Sequence, residues 1–395
     1  MSTDTSIKRI RILHLITGLH AHGAERVLSN LVKGNDPNRF CHEVVSMTDV
    51  GPVGQQLILA GFKVSALRMR RGVPSPMALI QLGKFISRYR PQVLHCWMYH
   101  ANLCGLLVGK LMGVPHIVWG IRSANAELTN YSRLTRWVIW LGARLSRFPD
   151  AVTLNSEAGR RVHLGWGYDT ARMTLIPNGF DLGLFKPDPV ARRSVRAELG
   201  IAEDTVLIGL IARFHPVKGH ATFFKAAGLL SLTAPGIRFV LSGDEVTPDN
   251  SPLARMIREN QLDGKVHLLG PRPDTARVMA ALDIANSASE SEAFPNVVAE
   301  AMACGVPCVA TDVGDSASII CGTGRVVPPH DPEALAEACS ELIGMGAPGR
   351  EELGRRARKR VETAFALATM VRSYETLYQN MASYLDAQTA HSLAN

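Results

Sequence analysis

The stretch SEAFPNVVAEAMACGVPCVAT, Ser291 to Thr311, decides how the rest of the chain is read. Glu292 and Glu300 stand eight residues apart and bracket Phe294, Pro295, Asn296 and Val297. Proline has no N–H and a preset φ, so Pro295 suits the first turn of a helix. Ala299 to Ala303 favour a helix, Gly305 fits its C-terminal cap, and Val306 to Ala310 has the apolar run of a buried strand. The segment predicts a loop, a helix and a strand, with Glu292 ahead of the helix and Glu300 inside it. Backbone N–H groups from Phe294 to Val297 have no partner within such a helix and favour an anion over its start. Two carboxylates beside an anion site are consistent only with a ligand that also offers neutral hydroxyls. A sugar nucleotide offers both.

Working outward, apolar runs of strand length alternate with amphipathic stretches of helix length. In the first half the strands are expected at Arg11–Thr17, His42–Met47, Val93–Cys96, His116–Trp119 and Ala151–Leu154. In the second they are expected at Val206–Ala212, Arg238–Leu241, Val266–Leu268, Ile284–Asn286 and Cys308–Thr311. This alternation predicts βαβ units and parallel sheets. Ten strands in two groups of five imply an α/β protein with two doubly wound domains. The break falls at the turn-forming run Ile176 to Asp181, giving domains at 1–180 and 181–366. Helices are expected at about Pro332–Met345 and Arg350–Phe365, and a last one, from about 367, packs back on the first domain.

The 395 residues, 46% hydrophobic and 20% charged, suffice for two cores. Seven scattered cysteines have neither a disulfide rhythm nor zinc-site spacing, so they are expected as buried thiols in a reducing compartment. No stretch has the form of a secretory signal or a membrane span, so a cytoplasmic location is expected. Residues 1–180 hold 22 Lys and Arg against 9 Asp and Glu, while the remainder is net acidic. The basic half points to an anionic partner, a membrane surface or a lipid phosphate. Nucleic acid is not expected, because no recognised reader motif occurs.

Ligands of parallel α/β sheets bind beyond the carboxyl ends of the strands, and the remaining motifs fall there. The cleft between the two domains is the expected place. Arg213 and Lys218 lie five apart at a strand-to-helix junction, where a forked guanidinium and a point charge suit phosphate oxygens. Exposed basic residues of a solvated loop are the plainer alternative. Gly23, in His22-Gly23-Ala24-Glu25, permits close backbone approach at a helix start. Gly243-Asp244 follows another strand, where Asp244 contacts a ligand or orders the loop. His95 and His100 flank the end of the third strand as acceptor-side acid–base candidates, against the commoner role of packing histidines.

From Leu128 to Phe148, Arg133, Arg136, Arg144 and Arg147 alternate with Trp137, Trp140 and Phe148. That pattern suits an interfacial helix on anionic lipid, or a surface helix with its tryptophans turned inward. No D-x-D sequence and no metal-spaced His/carboxylate cluster occurs, so neither metal nor cofactor is expected. Leaving-group charge would fall to Arg213, Lys218 and a helix N-terminus.

Together HGAE (22–25), NSE (155–157), IPNGFD (176–181), ARFHPVKG (212–219), SGD (242–244), HLLG (267–270) and SEAFPNVVAEAMACGVPCVATDVG (291–314) resemble the family 4 (group 1) retaining glycosyltransferases. The match runs over nearly the whole chain in the family's order. The resemblance implies a GT-B fold, two Rossmann-like domains facing across a cleft, with the nucleotide-sugar donor held mainly by the second. It implies that Glu300 binds the ribose and Glu292 the transferred sugar. Arg213 and Lys218 would hold the diphosphate, with backbone at Gly23 and at Phe294, Pro295, Asn296 and Val297. The base would lie from His267 through Leu268 to Gly270.

Retention would proceed by front-face attack without a metal. Many relatives carry a histidine where this chain has Arg122, so Arg122 is expected to contact sugar or phosphate, unless His95 or His100 serves. Asp315 stands where many relatives have a second glycine. The implied activity moves a hexose from a UDP-sugar, or a GDP-sugar, to a glycan or lipid-linked glycan for a surface polysaccharide, at the inner face of the plasma membrane. A nucleotide-sugar epimerase or phosphorylase-like enzyme of the same fold, and a non-catalytic binding protein, are the alternatives.

Overall fold

Strand β1 (Ile10–Ile16) sets the pattern for the first half of the chain. Its residues are apolar apart from Arg11 at its start and His14, because both faces of a parallel sheet are covered by helices. A computed structural model describes residues 9–20, 23–70, 75–125 and 128–393, with only the backbone at 130 and from 384 onward.

The chain divides into two units, one running to Gly179 and resuming at Leu367, the other spanning Phe180–Ala366. In unit 1, β1 is followed by β2 (Phe40–Ser46), β3 (Lys63–Ala66), β4 (Val93–Trp97), β5 (His116–Ile121), β6 (Ala151–Leu154) and β7 (Met173–Leu175). They form one parallel sheet in the order β3-β2-β1-β4-β5-β6-β7. Its helices are α1 (Gly23–Gly34), α2 (Gly51–Leu59), α3 (Pro76–Tyr89), α4 (Tyr99–Leu111), α5 (Arg133–Leu145) and α6 (Glu157–Gly165).

Unit 2 contains β8 (Leu207–Ile211), β9 (Arg238–Ser242), β10 (Val266–Leu268), β11 (Ile284–Ser287), β12 (Cys308–Thr311) and β13 (Arg325–Val327), ordered β10-β9-β8-β11-β12-β13. Around them pack α7 (Pro189–Glu198), α8 (His220–Thr233), α9 (Ser251–Glu259), α10 (Thr275–Ala280), α11 (Asn296–Ala303), α12 (Ser316–Ile320), α13 (Pro332–Gly344) and α14 (Gly346–Ala364). The last helix, α15 (Leu367–Leu393), belongs to unit 1. Among the described residues the sheets hold seven and six strands, not five and five. The three strands beyond the expectation, β3, β7 and β13, are short edge strands of three or four residues.

In unit 1, Leu13, Leu15 and Leu94 pack toward α3, α4 and α5, while Ile12, Ile16 and Val44 pack toward α1, α2 and α15. This is the period-two alternation of a strand expressed in two apolar layers. Unit 2 carries a fully buried guanidinium as well. Arg196 donates to Asp283 at 2.5 Å and to the carbonyls of Ala202 and Thr205, while Asp283 also accepts from the Leu207 N–H. A charge this deep is tolerated only because its donors are satisfied. The network ties α7 to the entry of β8.

Candidate active site

In unit 2 the carboxyl ends of the strands bring Lys218 and Glu292 together. Their Nζ and Oε1 atoms lie 2.5 Å apart, and the Ser289 hydroxyl donates to the same Oε1 at 2.9 Å. Two features of the sequence produce the pair. Gly219 adopts φ +65 with its α-carbon pressed on the Ala288 carbonyl, where a β-carbon would collide. The Glu290 N–H then donates to the Val217 carbonyl at 2.8 Å, so the loop after β8 is fastened to the loop after β11. Gly314, at φ +60, closes on the carbonyls of Glu292 and Ala293 from the other side, and Asp315 N–H donates to Ala293.

Helix α11 begins at Asn296, with Pro295 in the capping position, and Gly305 follows its end at φ +75. Glu292 precedes that helix and Glu300, half-buried, lies within it. The Phe294 ring is buried against Phe180 and Phe365, so only the backbone of Phe294 is available to a ligand. In the N-terminal turn of α11 the Val298 N–H donates to the Pro295 carbonyl at 3.1 Å, a short-range bond of the kind found where a helix starts.

Arg213 is exposed, and its loop is held by the Phe214 N–H donating to the Asp244 carbonyl at 2.8 Å. Asp244 therefore orders the loop through its backbone, with its side chain in solvent. Gly270, at φ +66, accepts from the Ser242 hydroxyl and the Gly243 N–H, fixing the end of β10 after Leu268. Arg213, Lys218, Asp244, Gly270, Glu292 and the start of α11 thus share one edge of the unit 2 sheet. Ser289 escaped the sequence reading, because a serine in an S-x-S run carries no distinguishing signal.

In unit 1, Gly23 opens α1 and is exposed, while His22 lies outside the described residues. Glu25, two residues on, has its carboxyl raised by burial, and its Oε2 has no partner. His20 pairs with Asp49 at 3.1 Å beside it.

Arg122, just past β5, is half-buried: Nη1 donates to Asn178 at 2.5 Å, Nη2 to the Tyr374 hydroxyl, and the guanidinium lies 5.0 Å from the Trp97 ring centre. It secures α15. His95 has no solvent exposure. It stacks on Trp97 at 4.3 Å and its Nδ1 lies 2.7 Å from the Tyr378 hydroxyl. Burial, then the charge of Arg122, holds it well below the usual histidine range, so His95 is a neutral packing group. His100, in the first turn of α4, is half-buried and lowered by burial. Tyr374 and Tyr378, which join Trp97 in enclosing His95, arise nearly three hundred residues later, beyond the reach of a local motif.

Helix α5 is capped by Ser132, which accepts from Thr135 N–H, and buries Val138, Ile139, Gly142 and Ala143. Its tryptophans do not turn inward: Trp137 is 55% and Trp140 50% exposed. Arg144 lies 3.7 Å over the Trp140 ring, and Arg147 covers Phe148. No helix among the described residues is long and apolar enough to cross a membrane.

Each unit is a parallel-sheet, Rossmann-like domain, and in unit 2 an ion pair precedes a helix start at the carboxyl edge of the strands. The sequence profile described as Glycosyltransferase Family 4 matches residues 21–184, and that described as Glycosyl transferases group 1 matches 205–345. The chain belongs to this glycosyltransferase family, and its fold is GT-B. A Bacillus subtilis protein named as a glycosyltransferase, EpsF, is 27% identical over 86% of this chain and 90% of its own length. The D-inositol 3-phosphate glycosyltransferase of Mycolicibacterium paratuberculosis is 32% identical over 49% of this chain, which spans 44% of that protein. Among solved structures, Anabaena HepE in complex with UDP superposes with a TM-score of 0.82 at 23% identity, over 94% of this chain and all of that one. HepE in complex with UDP-glucose gives 0.80 at 22% identity, over 96% and 100%.

Proposed function

We propose that the protein transfers a hexose, with retention and without a metal, from a UDP-sugar to a glycan or lipid-linked glycan of a surface polysaccharide. A GDP-sugar is the second donor candidate. The observation that carries this reading is the Lys218–Glu292 pair beside Arg213 and the start of α11. The diphosphate takes Lys218 from Glu292 and adds Arg213, so that both cations face the charge that grows on the leaving group. Glu292, still held by Ser289, turns its carboxylate to the hydroxyls of the transferred sugar. Glu300 takes the ribose, and the backbone from His267 to Gly270 borders the base. The complexes of HepE with UDP and UDP-glucose support the choice of nucleotide.

On unit 1, Gly23 approaches the diphosphate and His100 the acceptor. Arg122 acts on the acceptor side by holding α15. The exposed Trp137 and Trp140 with their arginines rest on anionic lipid at the inner face of the plasma membrane.

The test is a thermal-shift screen with UDP, GDP, ADP and their sugars, followed by product analysis. UDP and its sugar are expected to raise the melting temperature, since ligands stabilise in proportion to occupancy. Arg213→Ala with Lys218→Ala is expected to lower turnover by about 10²–10³-fold with unchanged circular dichroism. Wild-type turnover in that variant sinks the reading. An epimerised donor in the absence of acceptor supports the rival activity.

A further inference from the structure

A cavity lies in unit 1, at the amino-terminal edge of its sheet, where the strands begin. Ligands of such sheets gather at the opposite edge. The cavity measures about 520 Å³, within the range of small-molecule sites. It opens where β3 joins β2 only from Lys63 opposite Glu43, leaving Phe40 to His42 with a strand on one side alone.

Four cations stand among its lining residues. Lys33 ends α1, Arg88 ends α3, Lys63 begins β3, and Arg9 precedes β1. Against these four cations the lining holds one carboxylate, Glu43, 3.4 Å from Lys63 and 3.9 Å from Arg88. Lys33 and Arg9 have no acidic partner among the described residues.

At the inner end stand two polar side chains that are more than nine-tenths buried. Asn35 is 5% exposed, and neither atom of its amide has a partner. His42 is 8% exposed, and its Nε2 has none. The protonation of His42 follows from its neighbours. The Trp97 indole can only donate, so His14 accepts at Nδ1, 3.2 Å away. A neutral His14 then carries its proton on Nε2, which lies 3.0 Å from His42 Nδ1. His42 must accept there, and its own proton sits on Nε2. The relay leaves one fixed donor at Nε2, beside an amide offering a donor and an acceptor. Buried polar groups are almost always satisfied, and both residues line the cavity, so a group bound there is the nearest partner open to them.

We propose that this cavity binds a phosphate monoester carried on a hydroxyl-bearing body of about monosaccharide size. The phosphate lies among Lys33, Lys63, Arg88 and Arg9. The hydroxyls donate to and accept from Asn35 and accept from His42. Burial keeps His42 near pKa 4 and therefore neutral, which suits an uncharged hydroxyl as its partner. The site is independent of the reading proposed for the unit 2 edge.

Calorimetric titration of the full chain with glucose 1-phosphate, inorganic phosphate and glucose tests it, each with and without saturating UDP. Glucose 1-phosphate is expected to bind most tightly and glucose not at all, with UDP making no difference. Lys33→Ala with Arg88→Ala, both exposed, is expected to weaken binding about tenfold or more. Asn35→Leu removes an amide without partners, so it is expected to keep or raise the melting temperature while abolishing binding. If Asn35→Leu does not fold, the exposed double variant decides the matter. Absence of binding overturns the proposal, and so does binding that UDP displaces or Arg213→Ala removes. Equal affinity for inorganic phosphate, or binding retained in both cavity variants, overturns it too, leaving only ordered water on Asn35 and His42.

Discussion

Units 1 and 2 thread six strands in the same order and put their buried polar groups to different uses. Unit 1 encloses neutral histidines: His14, His42 and His95 lie on the adjacent strands β1, β2 and β4, covered by Trp97, Tyr374 and Tyr378. Unit 2 encloses an ion pair, Arg196 with Asp283, far from its ligand edge, and leaves Arg213 in solvent. One scaffold thus tolerates two solutions to burying polarity, an uncharged relay and a compensated charge. The difference predicts how each unit fails.

The largest effect is expected from Asp283→Ala. It strands the Arg196 guanidinium at zero exposure and should destabilise unit 2 by about 3–5 kcal/mol. Denaturant unfolding followed by hydrogen exchange should show β8 and α7 opening first. Uniform loss across both units contradicts the assignment.

Acid reverses the order. Burial depresses His42 from 6.5 to about 4 and holds His14 and His95 well below the usual histidine range. The unfolded chain therefore binds more protons in that window. The stability these groups contribute is complete above about pH 6.5 and is lost as pH falls toward 4, with His42 alone accounting for about 3 kcal/mol. Hydrogen exchange in the intact protein at pH 5 should rise in β1, β4 and α15 before it rises in β8 and β11. Equal protection in both units at that pH contradicts this.

The smallest effect belongs to Ser289→Ala, which removes one donor from Glu292 while Lys218 remains. A loss of about 1 kcal/mol is expected, read as a severalfold lower kcat/KM with an unchanged melting temperature. A fall in melting temperature at constant kcat/KM assigns Ser289 to packing instead.

The same contrast explains what was legible in the sequence. Central strands such as β1 and β8 are continuous apolar runs, because helices cover both faces, and they stand out against any background. The edge strands β3, β7 and β13 are short and partly exposed, so Lys63 to Ala66 and Met173 to Leu175 resemble loops. At the unit 2 edge, Glu292, Lys218 and Arg213 were recognisable from spacing around glycines and a proline. Their ion pair was not, since it depends on Gly219 meeting Ala288 across seventy residues. In unit 1, the environments of Arg122 and His95 come from Tyr374 and Tyr378 on a helix at the far end of the chain. No local pattern encodes such a partner.

That remote helix has a consequence for the order of assembly on the ribosome. Unit 2 occupies one continuous segment, so all its strands have emerged once Ala366 is synthesised. Unit 1 was begun first, yet Met370, Val371, Tyr374 and Tyr378 complete one of its two apolar layers, and Glu375 accepts from the Asp36 N–H. Domains fold as they emerge. The nascent chain therefore carries β1, β2 and β4 without the α15 cover of their histidine layer while the whole of unit 2 is translated. The half of the molecule that starts first finishes last, and until then the part of its sheet face that α15 covers stays open beside α1 and α2.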